Sequence, residues 1–175
     1  FISENEITIG QEDDINLKLI KEIAQVADEI IISTGGATEA HIMATYTYLR
    51  EIKFPLEAVT FLHCVSLYPT SAEDLALSHL RLLREKLKDC KIGLSDHYAG
   101  VVTGPLGYVL GARCFEKHVT FNRAWKGTDH SFALEPEGFR KYARDINVAK
   151  IATSTSFREV GNEPVFKKLG KSICY

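Results

Sequence analysis

What this sequence lacks narrows it first. No apolar run approaches the roughly 20 residues that a membrane-spanning helix needs. The opening residues, Phe1-Ile2-Ser3-Glu4-Asn5-Glu6, are too polar for a secretory leader. An excess of one charge is missing as well. The 21 Lys and Arg against 23 Asp and Glu leave a formal net charge of −2, which gives no electrostatic reason to expect nucleic acid or an anionic membrane as partner. Cysteine is sparse: Cys64, Cys90, Cys114 and Cys174 have no paired spacing. They read as reduced thiols of a cytoplasmic protein, not as a disulfide framework or a zinc knuckle. Position 1 is not Met, so Phe1 reads as a cut end. Low-complexity segments and internal repeats are absent too.

What is there is a globular composition, 175 residues of which 45% are hydrophobic and 25% charged, enough to bury a real core. Short apolar runs alternate with longer amphipathic ones, the mark of βα units on a parallel sheet. The periodicity predicts a helix over 15–28, a strand at Glu29-Ile30-Ile31-Ile32-Ser33 and a helix over 38–52. A second strand covers Ala58 to His63. Thr70-Ser71-Ala72-Glu73 then has the form of a capping box opening a helix whose buried stripe is Leu75, Ala76, Leu80, Leu83 and Leu87. A third strand, Lys91 to Leu94, ends in Ser95-Asp96-His97, and a short Gly-rich helix covers 104–111. The fourth strand, Arg113 to Val119, leads into a polar loop containing Trp125. Pro136 is placed as a helix N1 proline, with Phe139, Tyr142, Ala143 and Ile146 expected to face the core. From Ile151 the pattern loosens into a tail.

Four strands in regular βα order are half of a (β/α)8 TIM barrel, which needs eight and typically about 250 residues. Residues 1–150 are therefore assigned to the last four βα units of such a barrel, and 151–175 to a tail or linker. Half a barrel leaves two open sheet edges, so a dimer or larger assembly is expected. An open doubly wound sheet is the alternative.

Polar, ligand-capable residues gather at the C-terminal end of each strand: Ser33, His63, Ser95-Asp96-His97, and Glu116 with His118. In parallel α/β folds that end of the sheet is where sites are built. His97 and His118 end neighbouring strands, which suits convergence on one transition-metal ion. Glu116 and His118 are two apart, so they share a face. A hydrogen-bonded structural histidine is the competing reading for each, and His63 is assigned to it. His41 and His79 fall on helices and read as solvated; His130, beside Asp129, fits a supporting or a surface role. Ser33-Thr34-Gly35-Gly36 at a strand-to-helix junction is able to cradle a phosphate, although such turns are also ordinary loop chemistry.

Taken in order, these segments resemble the N-acetylneuraminate (sialic acid) synthase family. The resemblance is carried by Ile32-Ser33-Thr34-Gly35-Gly36-Ala37-Thr38, by Leu62-His63-Cys64-Val65-Ser66-Leu67-Tyr68-Pro69-Thr70 and by Gly93-Leu94-Ser95-Asp96-His97. Phe115-Glu116-Lys117-His118-Val119-Thr120, Gly127-Thr128-Asp129-His130 and Leu134-Glu135-Pro136 complete it, over about residues 15–150. It implies a (β/α)8 barrel that condenses phosphoenolpyruvate with an amino-sugar aldehyde such as N-acetylmannosamine and releases phosphate. It further implies His97 and His118 as ligands of Mn²⁺ or Mg²⁺, and Glu116 as an acid beside the metal. Ser33, Ser66 and Ser95 match positions that hold phosphoenolpyruvate, and Tyr68 and Asp129 match positions lining the sugar.

The departures also carry weight. The family has a Lys-Ile-x-Ser-like run on the strand before the first helix. Phe1-Ile2-Ser3-Glu4 aligns with it but offers Phe1 and Glu4 where the family has the Lys and the Ser. Further phosphate-binding residues, another Lys among them, belong to the first half of the barrel, so this stretch alone is expected to have little or no turnover. Thr128 stands where proline is usual, and Gly170-Lys171-Ser172-Ile173 where an Arg-Arg-Ser run is usual. The small antifreeze-like domain that commonly follows the barrel is missing from these residues. Two other functions are compatible with the sequence: a noncatalytic metal- or phosphosugar-binding module, and a sister synthase making legionaminic or pseudaminic acid.

Overall fold

The computed structural model of the chain describes residues 6–9 and 17–154. The run at Phe1–Glu4, Cys174 and the 170–173 segment lie outside the described residues. Five parallel strands form one sheet in the order β1-β2-β3-β4-β5. They are β1 (Glu6–Ile9), β2 (Glu29–Ser33), β3 (Val59–Cys64), β4 (Lys91–Asp96) and β5 (Cys114–Lys117). The helices are α1 (Leu17–Ile23), α2 (Glu39–Glu51), α3 (His79–Lys86), α4 (Thr103–Leu110) and α5 (Pro136–Ser154). Every strand pairs with its neighbour in sequence. That unbroken order is the winding of a (β/α) barrel and not of a doubly wound sheet, whose strand order reverses partway. The chain is a partial barrel, with five strands among the described residues beside the four expected. Glu6-Ile7-Thr8-Ile9 is the added one, too short a run to stand out as a strand before it is paired with β2.

The core lies between the sheet and α1–α3, where Ile20, Ile30, Ile32, Leu49, Val59, Phe61, Leu80 and Leu87 are shut off from solvent. Strand β3 is buried on both faces, as central parallel strands should be, whereas β2 buries only the face of Ile30 and Ile32. Helix α2 begins at a reciprocal cap in which Thr38 Oγ1 accepts from the His41 amide and His41 Nδ1 accepts from the Thr38 amide. His41 is thus half-buried and capping, not simply solvated.

Three local expectations need correction. Helix α1 closes at Ile23, where the Val26 amide turns back to the Ile23 carbonyl. Thr70 opens no helix: it is buried, its amide bonds the His97 carbonyl at 3.1 Å and its hydroxyl the Leu67 carbonyl at 2.9 Å. A side chain committed to fastening this loop to the end of β4 is not available to cap, so the chain turns through 71–78 and α3 starts only at His79. Helix α5 runs on to Ser154, and of its predicted apolar face only Tyr142 is buried, with Ile146 half-buried and Phe139 and Ala143 exposed. Gly104 permits the approach of α5 to α4, because a Cβ there would stand 2.7 Å from the Tyr142 ring and 2.9 Å from Ile146.

Candidate active site

Strand register brings the chemistry together. Cys64 of β3 pairs with Ser95 of β4, and Ser95 with Glu116 of β5. One step past the last laddered pair, Asp96 with Lys117, come His97 and His118. Because side chains alternate along a strand, Ser95, His97, Glu116 and His118 all reach one face. There they line an open cavity of about 440 Å³, joined by Ser33 from β2, Ser66 and Tyr68 from the loop after β3, and Asp129 from the polar loop. All eight residues singled out in the sequence meet in this cavity.

Its interior is tightly hydrogen-bonded. Ser95 Oγ donates to Glu116 Oε1 at 2.6 Å. His97 is 5% exposed, donates from Nδ1 to the Val65 carbonyl at 2.8 Å, and carries Nε2 3.4 Å from Ser95 Oγ. His118 places Nδ1 3.5 Å from Asp129 Oδ2. Tyr68 lies over His97 at 4.2 Å between ring centres, and Phe132 backs His118 at 5.1 Å. Gly35 matters here because a Cβ would fall 2.4 Å from Ser66 Oγ and 2.9 Å from Cys64 Sγ, closing the gap between the β2 and β3 loops.

The two imidazoles are driven in opposite directions. Burial disfavours charge on His97, but hydrogen bonding to the Cys64 thiol and the Val65 carbonyl, with Glu116 nearby, outweighs it and raises its pKa. His118 is lowered by burial and by the charge of His97, against the pull of Asp129 and Glu116. The Cys64 thiol is lowered, since bonds from His97 and Ser33 exceed the effect of its burial.

As metal ligands the pair is chemically apt. The Val65 carbonyl at Nδ1 of His97 holds the proton on that nitrogen and leaves Nε2 as the acceptor, while Asp129 Oδ2 stands 3.5 Å from Nδ1 of His118. Among the described residues no three His, Cys, Asp or Glu side chains close into a metal cluster. Two imidazoles would fill two positions of a coordination sphere, with the others left to water or substrate.

His63 stays outside the cavity, buried, with Nε2 bonding the Leu75 carbonyl at 2.9 Å. His79 is exposed, with its ring edge-on to His63, and His130 hydrogen-bonds with Thr120 Oγ1 at 2.8 Å. Of the remaining cavity lining, Gly35 belongs to the turn read as a phosphate cradle, and Cys64 was given no role from the sequence. Cys64 stands at a strand end like the others and was legible by the same positional rule.

The family model described as the NeuB family matches residues 4–157. The chain belongs to the NeuB family. It is 33% identical over 147 residues to the N-acetylneuraminate-9-phosphate synthase of Drosophila melanogaster, covering 84% of this chain and 39% of that protein. It is also 33% identical to a pseudaminic acid synthase of Campylobacter jejuni, covering 76% of this chain and 38% of that one. The crystal structure of a sialic acid synthetase from Leptospira borgpetersenii superposes with a TM-score of 0.78 at 28% identity, covering 94% of this chain and 57% of that one. The chain thus spans about two fifths of the length of these curated NeuB relatives. No helix among the described residues is long and apolar enough to cross a membrane.

Proposed function

We propose that this chain carries the metal and sugar side of a nonulosonic acid synthase site, and that the whole protein condenses phosphoenolpyruvate with an amino-sugar aldehyde. The observation that carries this reading is the convergence of Ser33, Ser66, Ser95, Glu116, His97 and His118 on one cavity at the C-terminal ends of the strands. Support also comes from the synthases among its relatives.

In the reaction, C3 of phosphoenolpyruvate bonds to the aldehyde carbon, water adds at C2, and the C2–O bond to phosphate breaks. His97 and His118 would hold Mn²⁺ or Mg²⁺ through Nε2, and such an ion supplies Lewis acidity at the aldehyde oxygen. The Ser33 and Ser66 hydroxyls donate to phosphoenolpyruvate, and Ser95, whose proton is given to Glu116, lines the same end of that substrate. Glu116, oriented by its 2.6 Å bond from Ser95, holds a proton beside the new alkoxide. Tyr68 and Asp129 orient the sugar. Lysines that complete the phosphate grip come from the other part of the barrel, so residues 1–175 alone have little turnover. The sheet edges at β1 and β5 are covered by that part or by a second copy, giving a dimer or larger assembly. The work is done in the cytoplasm on small-molecule substrates.

The sugar is left to assay, because the N-acetylneuraminate-9-phosphate and pseudaminic acid synthases are equally identical to this chain. The test is phosphate release from phosphoenolpyruvate with Mn²⁺ by the full-length protein, across a panel of N-acetylated hexosamine aldehydes. Release with one sugar, abolished by His97→Ala, is expected. No release with any sugar, from a folded protein that still binds Mn²⁺, would replace this reading with a noncatalytic binding module.

A further inference from the structure

The strand face opposite the cavity holds a buried ion pair. Lys117 Nζ lies 3.0 Å from Asp96 Oδ2, with side chains 1% and 0% exposed. Asp96 directly precedes His97 and Lys117 directly precedes His118, and the two are register partners, the last pair of the β4–β5 ladder.

The bonds around this pair bracket His97. Asp96 Oδ1 accepts from the Tyr98 amide at 3.0 Å, and Lys117 Nζ donates to the Tyr98 carbonyl. The residue before His97 and the residue after it are thus both tied to β5. Thr103 Oγ1 of α4 donates to Asp96 Oδ2 at 2.5 Å, and the Tyr142 ring of α5 lies 5.7 Å from Lys117 Nζ. On the cavity face, one step earlier, Ser95 and Glu116 join the same strands. These two clamps lie at the end of the β4–β5 ladder, just before the histidines, whose ring centres stand 5.3 Å apart. A buried ion pair is a poor stabiliser compared with well-packed apolar side chains, and its best-attested use is to fix one geometry.

We infer that the Asp96–Lys117 pair is a positioning device for His97 and His118, holding the two rings at the separation from which they share one metal ion. The inference rests on the metal reading above.

The test uses the full-length protein and reads Mn²⁺ affinity by electron paramagnetic resonance, beside the thermal midpoint. Asp96→Leu with Lys117→Met replaces both charges at once, so that no unpaired charge is left buried. That variant is expected to unfold cooperatively and to bind Mn²⁺ about 10- to 100-fold more weakly, the usual range for residues supporting a ligand. Asp96→Asn with Lys117→Met keeps the acceptor for the Tyr98 amide and is expected to recover part of the affinity. Thr103→Val, which leaves the charges in place, should weaken binding several-fold and serves as the arm least at risk of misfolding. Unchanged Mn²⁺ affinity in the folded variants would overturn the inference. If the wild-type protein binds no Mn²⁺, the metal reading falls instead. Positioning is then decided by the nuclear magnetic resonance signal of the His97 Nδ1–H bonded to Val65: its loss in the variants supports the inference, and its persistence overturns it.

Discussion

His97 and His118 meet edge to face, their ring planes at 74°, yet they are anchored unequally. His97 is fixed by a 2.8 Å bond to a backbone carbonyl, whereas His118 leans on a carboxylate that is itself about half exposed. The more loosely held ring is the more sensitive to its support. Asp129→Ala is therefore expected to weaken Mn²⁺ binding by about tenfold, the lower end for a residue orienting a ligand, with the fold intact by circular dichroism. An affinity equal to wild type would remove Asp129 from that role.

Stability should fall in mild acid through His63. Burial, with a smaller push from the charge of His79, holds its pKa below the ordinary 6.5, against the bond to the Leu75 carbonyl. The unfolded chain therefore binds the proton more readily. The contribution of His63 is complete above about pH 6.5 and declines as the pH falls toward its folded-state pKa. Urea unfolding between pH 7.5 and 5 is expected to show a smaller loss for His63→Gln than for wild type. Parallel curves would show that His63 does not titrate on unfolding.

Two glycines should answer alanine with opposite signs. At Gly93 a Cβ would sit 2.4 Å from Leu62 Cδ2 and 2.7 Å from the Cys114 backbone oxygen, which cannot swing aside. Gly93→Ala should cost about 1–3 kcal/mol as overpacking. At Gly138, in the first turn of α5, the nearest atoms are at an ordinary 3.4 Å, so Gly138→Ala should gain about 0.5–1 kcal/mol from the helix preference of alanine. Chemical denaturation of the two variants beside wild type checks both.

Gly35→Ala should damage function more than fold. Its Cβ would press on Ser66 Oγ and Cys64 Sγ at the cavity wall. Displacing Ser66 by an ångström is expected to lower kcat/KM for phosphoenolpyruvate on the order of tenfold to hundredfold. A steady-state assay with the thermal midpoint measured in parallel separates the two effects. A large loss of stability at unchanged kcat/KM would place Gly35 in the scaffold alone.

The strand ends were legible because two signals coincide there: an apolar run stops, and a polar residue stands at its C-terminal side. That rule found Ser33, Ser95, His97, Glu116 and His118 without knowledge of the register. It failed where a side chain acts across the fold. Thr70 has the sequence of a helix cap and serves as a tether to β4, which only the position of the His97 carbonyl reveals. Asp96 and Lys117 each read as one more charge beside a histidine, and become an ion pair only once β4 and β5 are in register. The outward turn of Phe139 was hidden for a related reason. Periodicity reports that a helix has an apolar stripe, not how much of it a neighbour covers.

The sequence-ordered sheet has one more consequence. Ser95 and Glu116 are separated by 21 residues, and β4, α4 and β5 follow one another without interruption. The histidine pair and both of its clamps thus belong to a single parallel strand–helix–strand unit. Loop-closure entropy grows only slowly with length, so closing a loop of this size costs less than bringing together histidines from distant parts of the chain. The pair is a cassette: one short unit delivers both imidazoles together, and Val65 and Asp129 from either side of it turn the rings.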